Sequence, residues 1–261
     1  MELKLEQPIL DLNDKLAAQN RALLDEHNIY MLDLMASPGA GKTSLILATI
    51  AQLRDTYRIA VIEGDIASDV DARAIKEQGI PAVQINTGGA CHLESQMVRR
   101  ALDALDLDAL DLVIVENVGN LVCPTDFYLG EDAKVMILSV PEGHDKPLKY
   151  PGIFQVSQAV ILNKTDTLPV FNFDERQFRH DVTQLNPHAT VFPVSATTGS
   201  GILTWAQWLG AQIEGTRKNT PPATPTTTPP SPPVRSSLAQ SAEDLCERSE
   251  HPLPVREAHP L

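Results

Sequence analysis

The stretch Ala36-Ser37-Pro38-Gly39-Ala40-Gly41-Lys42-Thr43 decides the fold, and it stands between two apolar runs. The run before it, near residues 30–36, is short enough for a strand, and the run after it, beginning Ser44-Leu45-Ile46, has the length of a helix. A strand, a loop of small residues and a helix in this order are typical of a phosphate-binding loop. The sequence therefore predicts a nucleotide site here.

Each part of this loop has a physical task. Small residues let consecutive backbone N–H groups surround the β-phosphate, and the dipole of the following helix adds positive potential. Lys42 neutralises β- and γ-phosphate oxygens, and the Thr43 hydroxyl binds Mg²⁺. Ala36 replaces the first glycine of the usual pattern, which fits if this position needs no positive φ. The predicted phosphate-binding residues are Ser37, Pro38, Gly39, Ala40, Gly41, Lys42, Thr43 and Ser44.

Outward from this loop, short apolar runs alternate with amphipathic stretches. Strands are predicted near residues 30–36, 58–63, 81–86, 111–116, 134–140, 158–162 and 189–194, with helices between most of them. Runs such as Leu112-Val113-Ile114-Val115 are continuously apolar, as in strands covered on both faces. The fold class is therefore α/β, a mostly parallel sheet of about seven strands with helices on both faces.

Two further segments flank this predicted nucleotide-binding domain, which spans residues 30–215. Residues 1–29 are predicted to hold an amphipathic helix, over about residues 10–27, that packs on the domain edge. Its packing face would carry Leu12, Leu16, Gln19 and Leu23. Residues 216–261 contain ten of the twenty prolines and are predicted to be a disordered tail rich in Pro, Thr and Ser.

The composition indicates which kinds of binding partner and which cellular compartment to expect. The net charge is −13, from 34 acidic and 21 basic residues, so neither nucleic acid nor an anionic membrane is an expected partner. The chain shows no apolar run of membrane-spanning length, and its first residues do not resemble a secretion signal. Three cysteines form no disulfide pattern. A reducing, cytoplasmic location is expected.

The identity of the nucleotide base is indicated by the motif Asn163-Lys164-Thr165-Asp166. This motif directly follows a predicted strand about 120 residues beyond the phosphate loop. The Asp166 carboxylate can accept hydrogen bonds from both N1–H and the 2-amino group of guanine, a pair that adenine does not offer. Lys164 would lie over the base. Ser195 and Ala196, after the last predicted strand, fit a backbone contact to the guanine oxygen. The pattern favours GTP over ATP.

Acidic residues end two other predicted strands. Asp65 and Glu116 are each placed to hold Mg²⁺ through water, although polar residues that merely cap strands would look the same. Gly119 follows Glu116 closely and could present its N–H to the γ-phosphate, which would make this loop a nucleotide-sensing switch. The candidate catalytic residues are therefore Lys42, Asp65, Glu116 and Gly119. No glutamine stands where it would orient the attacking water, so slow intrinsic hydrolysis is expected.

Soft metal ligands occur near the predicted switch. Cys91-His92 is predicted to open a helix, whose dipole would favour a thiolate, and Cys123-Pro124 follows Gly119 by a few residues. The wide spacing of these three ligands leaves two interpretations open, a metal site or buried cysteines beside a surface histidine.

Several motifs together resemble the HypB family of hydrogenase nickel-incorporation GTPases, a metal-centre-assembly branch of the P-loop GTPases. The resemblance covers about residues 10–215 and rests on Ser37-Pro38-Gly39-Ala40-Gly41-Lys42-Thr43, Ile62-Glu63-Gly64-Asp65, Cys91-His92-Leu93, Glu116-Asn117-Val118-Gly119-Asn120-Leu121-Val122-Cys123-Pro124 and Asp145-Lys146-Pro147-Leu148-Lys149-Tyr150-Pro151. The block around Cys123 is the most specific of these.

This resemblance implies a GTP-dependent homodimer that delivers nickel to the large subunit of [NiFe]-hydrogenase together with a zinc-containing metallochaperone, HypA. It also implies that Cys91, His92 and Cys123 are the nickel or zinc ligands, shared across the dimer interface. Two accessory features of many relatives are missing, an N-terminal cysteine motif and a histidine-rich stretch, because residues 1–35 contain no Cys and only His27. The proline-rich tail also departs from the family pattern.

Three other functions could use the same phosphate loop or metal ligands. A urease accessory GTPase would share the nucleotide motifs but normally carries Cys-Pro-His where this chain has Cys123-Pro124-Thr125. A small-molecule kinase usually prefers ATP, against which Asp166 argues. A nickel-storage protein would be dense in histidine, whereas this chain has seven scattered ones.

Overall fold

Strands and helices alternate along most of the chain. The computed structural model describes residues 6–65 and 70–219. Its strands are β1 (Tyr30–Ala36), β2 (Ile59–Asp65), β3 (Ala82–Asn86), β4 (Leu112–Glu116), β5 (Ala133–Ser139), β6 (Ala159–Asn163) and β7 (Thr190–Pro193). Its helices are α1 (Glu6–Glu26), α2 (Lys42–Leu53), α3 (Val70–Lys76), α4 (Ser95–Leu102), α5 (Lys146–Lys149), α6 (Pro151–Val156), α7 (Glu175–Leu185) and α8 (Ile202–Asn219). All the predicted strands are confirmed, with small shifts at their ends.

The strands form one seven-stranded sheet in the order β3-β2-β4-β1-β5-β6-β7. Every neighbouring pair is parallel, which confirms the predicted α/β class. Parallel strands end at one edge, and the register brings Leu34 of β1 beside Glu116 of β4. The loops that follow β1, β2, β4 and β6 therefore meet at the carboxyl edge, where ligands bind in open α/β sheets.

Both faces of the sheet are covered, as the apolar strands require. Leu32 and Leu34 of β1 point into a core formed with α2 and α8, which contains the buried Trp205. Met31 points to the opposite face, into a second core with α1 and α4, and Met35 joins a third core with α6 and α7. Asp33 lies between these methionines and is fully buried although its side chain is ionisable.

The packing face predicted for the N-terminal helix is wrong at two of its four positions. Leu12 is 60% exposed and Gln19 is also exposed, whereas Leu16 and Leu23 are partly buried. The residues of α1 that are most deeply buried are Asn13, Ala17, Asn20 and Leu24. The reason is hydrogen bonding, because the Asn20 side-chain amide donates to Ser95 O at 2.8 Å and to Leu129 O at 2.9 Å. Ser95 is the first residue of α4 and Leu129 lies in an irregular segment, and bonds to both carbonyls satisfy the buried Asn20 amide group, so polar side chains can be buried here.

The end of the domain differs in detail from the boundary predicted at residue 215. Helix α8 continues to Asn219. The rest of the predicted tail, residues 220–261, lies outside the described residues together with Cys246. In the described ranges, no helix combines the length and apolar character needed to cross a membrane.

Candidate functional site

The loop between β1 and α2 has the backbone that phosphate binding requires. Gly39 and Gly41 have φ values of +77° and +95°, in the left-handed region that favours glycine. A Cβ added to Gly41 would also lie 2.6 Å from Asn163 Nδ2, so this position excludes larger residues on two grounds. Ala36 ends β1 without a positive φ. The missing first glycine therefore does not disturb the loop.

A cleft of about 550 Å³ opens at this edge of the sheet. Its walls come from the phosphate loop, from the end of β2, from the loop after β4 and from Lys164 beyond β6. The lining residues are Pro38, Gly39, Gly41, Lys42, Thr43, Ser44, Gly64, Asp65, Glu116, Asn117, Val118, Gly119 and Lys164. All four predicted catalytic residues are therefore brought together in one cleft.

Oxygen donors cluster on one side of the cleft. The Thr43 hydroxyl donates to Glu116 Oε1 at 3.2 Å, and Lys42 Nζ lies 3.9 Å from the same oxygen. Asp65 lines the cleft at the end of β2, the strand that neighbours β4. A hydroxyl beside carboxylates is the donor set that Mg²⁺ prefers, so these side chains fit the ion expected with a nucleotide.

Gly119 packs directly on the phosphate loop. A Cβ added there would lie 2.9 Å from the backbone nitrogen of Pro38 and 3.1 Å from its Cα. Backbone atoms cannot move aside as a flexible side chain can, so only glycine fits this contact. The loop after β4 therefore touches the loop that would hold the phosphates.

The Asn163-Lys164-Thr165-Asp166 motif is bonded to the phosphate loop. Asn163 Nδ2 donates to Ala40 O at 3.0 Å, and Lys164 Nζ donates to Gly39 O at 2.7 Å. Lys164 has a φ of +59°, which is uncommon for a residue with a side chain. This conformation turns the chain sharply after β6 and carries the lysine across the cleft.

The other residues predicted to contact the base lie near the same edge but outside the cleft lining found among the described residues. Asp166 is exposed in a short 3₁₀ turn, Thr165–Thr167, directly after Lys164. The Ala196 N–H donates to Asn163 Oδ1 at 3.2 Å, and Ser195 Oγ accepts from Thr198 N. These bonds hold the segment after β7 against the segment after β6.

Cys91, His92 and Cys123 come together although they are far apart in sequence. The two Sγ atoms are 3.2 Å apart, and Cys91 Sγ lies 3.6 Å from His92 Nδ1. One donor atom from each residue lies within 4.8 Å of the others. Two sulfurs and an imidazole in this arrangement suit Zn²⁺ or Ni²⁺. Among the described residues, this is the group with metal-ligand geometry.

The local environment of these ligands corrects one prediction. Helix α4 begins at Ser95, so Cys91 does not open a helix, and the predicted contribution of a helix dipole at this thiol is wrong. Burial lowers the pKa of His92 below its usual value, against the opposing effect of Glu94. The hydrogen bond shared with the neighbouring Cys91 thiol, together with burial, raises the pKa of the Cys123 thiol. Asn120 Oδ1 accepts from the backbone N–H of Cys123 at 3.4 Å and helps to hold its turn.

Sequence reasoning missed several residues that organise the site. Glu142 accepts a hydrogen bond from the Ser37 hydroxyl and two more from Ser139, which ties the phosphate loop to the end of β5. Asp33 and Lys134 are charged residues inside the apolar runs of β1 and β5. A charged residue within an apolar run was the sequence signal that could have revealed them, because a charge in a buried strand needs a partner.

The fold and the cleft define a P-loop nucleotide-binding protein. The hydrogenase maturation factor HypB of Azotobacter vinelandii is 49% identical over 215 residues, which cover 82% of this chain and 71% of that protein. The Escherichia coli K12 protein of the same name is 45% identical over 210 residues, 80% of this chain and 72% of its own length. The family model described as CobW/HypB/UreG, nucleotide-binding domain, matches residues 31–193. This chain belongs to that family, among its HypB hydrogenase maturation factors.

Solved structures agree with this assignment. HypB from Helicobacter pylori in complex with nickel superposes with a TM-score of 0.74 at 39% identity and covers 81% of this chain and 98% of its own. HypB from Archaeoglobus fulgidus also gives a TM-score of 0.74, at 35% identity, covering 78% of this chain and 99% of its own.

Proposed function

We propose that this chain is a GTP-hydrolysing metallochaperone that assists nickel insertion into the large subunit of [NiFe]-hydrogenase. The observation that carries the proposal is that Cys91, His92 and Cys123 lie together, with donor atoms within 4.8 Å of one another, and that the Cys123 segment continues from the nucleotide cleft. Cys123 follows Gly119, which lines the cleft, by four residues. A metal site and a nucleotide site thus share one loop.

GTP is the proposed nucleotide because Asp166 closes the Asn163-Lys164-Thr165-Asp166 motif directly after β6, and its carboxylate would accept two hydrogen bonds from guanine. In the proposed complex, Lys42 neutralises the β- and γ-phosphate oxygens and the backbone of the phosphate loop surrounds the β-phosphate. Ser195 and Ala196 approach the guanine oxygen. Mg²⁺ would supply charge neutralisation between the phosphates, held by Thr43 with Asp65 and Glu116.

Nickel is the proposed cargo, and zinc is the competing ion. Two thiols and an imidazole bind both ions, and affinity among divalent metals usually peaks at copper, so the ligands alone do not select nickel. Selectivity is therefore proposed to come from partners. The lowered pKa of His92 favours a neutral imidazole at neutral pH, which is the form that binds metals.

The proposed partners follow from the family. They are a second copy of this chain in a GTP-dependent homodimer, HypA, and the precursor of the hydrogenase large subunit. The thiols of Cys91 and Cys123 must stay reduced to bind metal, which favours the cytoplasm as the place of action.

One observation favours a second target enzyme for nickel delivery. Relatives from Helicobacter pylori, 42% identical over 199 residues, carry the name hydrogenase/urease maturation factor HypB. Delivery of nickel to a urease is therefore the alternative function for this chain. Nickel-dependent activation of each client enzyme by the purified chain would separate the two.

Isothermal titration of Ni²⁺ and of Zn²⁺ into the full chain tests the central proposal, first with GDP and then with a non-hydrolysable GTP analogue. We expect tight metal binding whose affinity depends on the nucleotide and which Cys91→Ala and Cys123→Ala each abolish. Cys246→Ser is the matched control and should leave the binding unchanged. Metal binding that ignores the nucleotide, or that survives both cysteine variants, would contradict the proposal.

A further inference from the structure

A chain of buried polar groups runs from the nucleotide cleft to the metal ligands. It consists of Asn117, Asp33 and Lys134, whose exposed fractions are 1%, 0% and 8%. Burying charged groups is costly unless each one is paired and hydrogen-bonded. This group lies under both metal-ligand segments, and no part of the proposed nucleotide or metal chemistry uses it directly.

Asn117 connects the cleft to the segment of His92. Its Oδ1 accepts hydrogen bonds from Leu93 N at 3.1 Å and from Val118 N at 3.0 Å. Asn117 and Val118 line the cleft, whereas Leu93 directly follows His92. The fully buried Leu93 side chain also rests on Gly64, where an added Cβ would lie 2.7 Å from Leu93 Cδ1. The Cys91-His92 segment is thus held by two walls of the cleft.

The other side of Asn117 leads to the segment of Cys123. Asn117 Nδ2 donates to Asp33 Oδ1 at 3.0 Å, and Lys134 Nζ donates to Asp33 Oδ2 at 3.1 Å. Lys134 Nζ also donates to Pro124 O at 3.1 Å and to Phe127 O at 2.8 Å. Pro124 follows Cys123, and the centroid of the Phe127 ring lies 3.9 Å from the centroid of the His92 ring. One ammonium group therefore fixes the backbone on both sides of this turn.

The Lys134 ammonium is paired with two acids, Asp33 and Glu131, each 3.1 Å away. Burial by itself would lower the pKa of Lys134, but attraction to Asp33 and Glu131 outweighs it and raises the pKa. The ammonium is therefore charged and remains a donor at neutral pH. Breaking one hydrogen bond of such a network leaves a buried polar group unsatisfied, which is costly in free energy. Movements that keep all the hydrogen bonds, in which the bonded groups shift together, are therefore favoured.

We propose that Asn117 is the positioning residue that couples the nucleotide state of the loop after β4 to the geometry of the metal site. This inference rests on the proposed function, since it presumes that nucleotide and metal binding are linked. When the γ-phosphate shifts this loop, the amide of Asn117 carries Leu93 in one direction. Through Asp33 and Lys134 it carries the turn of Cys123 in the other. The distance between the Cys91-His92 segment and the Cys123 thiol then depends on the nucleotide.

Two variants of the full chain separate coupling from a merely structural role. Asn117→Leu keeps nearly the same side-chain shape but removes the acceptor for Leu93 and the donor to Asp33. The double variant Asp33→Asn/Asn117→Asp reverses the pair and keeps the net charge. In it, residue 33 can donate to residue 117 and still accept from Lys134. Titration of Zn²⁺ at saturating GDP, and at saturating GTP analogue, measures the ratio of the two affinities.

We expect a ratio of about five-fold or more in the wild type, the lower end of ordinary allosteric coupling. The ratio should approach one in Asn117→Leu and return in the reversed pair. A structural role would weaken metal binding equally with both nucleotides and leave the ratio unchanged. That result, or failure of the reversed pair to restore the ratio, would overturn this inference while leaving the proposed function standing. A wild-type ratio of one would overturn both.

Amide hydrogen exchange of the wild type decides the question if Asn117→Leu does not fold. The backbone N–H of Leu93 is bonded to Asn117, so its exchange rate should change severalfold when GDP is replaced by the GTP analogue in metal-free protein. The N–H of Asp103, which bonds within helix α4 to Arg99 O, is the internal control and should keep its rate. An unchanged rate at Leu93 would contradict the coupling.

Discussion

The Thr43 hydroxyl donates to Glu116 Oε1 at 3.2 Å, which joins the start of α2 to the end of β4 across the cleft. Glu116 is 5% exposed, and Lys42 Nζ lies 3.9 Å from the same oxygen. The carboxylate thus stands where the phosphate loop and the loop that follows β4 meet. In the proposed nucleotide complex, this carboxylate would help to hold Mg²⁺ beside the phosphates.

Glu116→Gln should therefore impair hydrolysis more than nucleotide binding. The amide keeps the size of the side chain but removes the negative charge that is proposed to hold the metal. We expect a loss of roughly tenfold or more in the single-turnover rate, with a raised Mg²⁺ requirement. Glu175→Gln, on helix α7 away from the cleft, is the control. An unchanged Mg²⁺ dependence would show that Glu116 does not serve the metal.

Gly119→Ala should disturb the contact between the loop after β4 and the phosphate loop. The new methyl group would lie 2.9 Å from Pro38 N, and overpacking of this kind typically costs about 1–3 kcal/mol. We expect weaker binding of a GTP analogue and a smaller change for GDP, measured by fluorescence titration. Gly215→Ala meets no atom within 4 Å and should bind both nucleotides normally. Equal weakening for both nucleotides would argue against γ-phosphate sensing at Gly119.

Asp166→Ala should weaken GTP binding far more than ATP binding. Two charge-assisted hydrogen bonds to guanine would be lost, which corresponds to about a hundredfold in affinity. Competition between the two nucleotides for a fluorescent analogue measures the ratio. Asp55→Ala changes an exposed acid after α2 and should leave the ratio as it is. Equal loss for GTP and ATP would remove the basis for guanine recognition.

Isolated chain should hydrolyse GTP slowly. The described walls of the cleft contain no glutamine to orient water, and Asp65 is a candidate among the acids that line it. We expect a single-turnover rate far below the roughly 5–20 s⁻¹ of fully activated GTPases, rising with protein concentration if dimerisation completes the site. A rate in the activated range at low concentration, where the chain is monomeric, would contradict this.

Asn20→Ala should loosen helix α1 because it leaves the carbonyls of Ser95 and Leu129 without this donor. Loss of such buried hydrogen bonds costs roughly 1–3 kcal/mol in the free energy of unfolding. Gln19→Ala, on the exposed side of the same helix, should stay within about 0.5 kcal/mol of the wild type. Denaturant unfolding compares the two. A larger loss for Gln19 would restore the packing face that its spacing first indicated.

The sequence by itself determined the sheet, the phosphate loop and the base motif, because each rests on local patterns. Apolar strands buried on both faces are recognisable as continuous runs, and the loop glycines are required by backbone conformation at Gly39 and Gly41. The parallel order then brings the ends of β1, β2, β4 and β6 to one edge. The positions of Lys42, Asp65, Glu116 and Gly119 in one cleft follow from this rule alone.

Only the tertiary structure decided how the polar residues of the interior are paired. Spacing placed Leu12 and Gln19 on the packing face of α1, but hydrogen bonds to distant carbonyls put Asn20 there instead. The same holds for Asn117, Asp33 and Lys134, whose partners are far away in the sequence. A hydrogen bond depends on the positions of two atoms in space, and periodicity along one segment carries no information about the second atom.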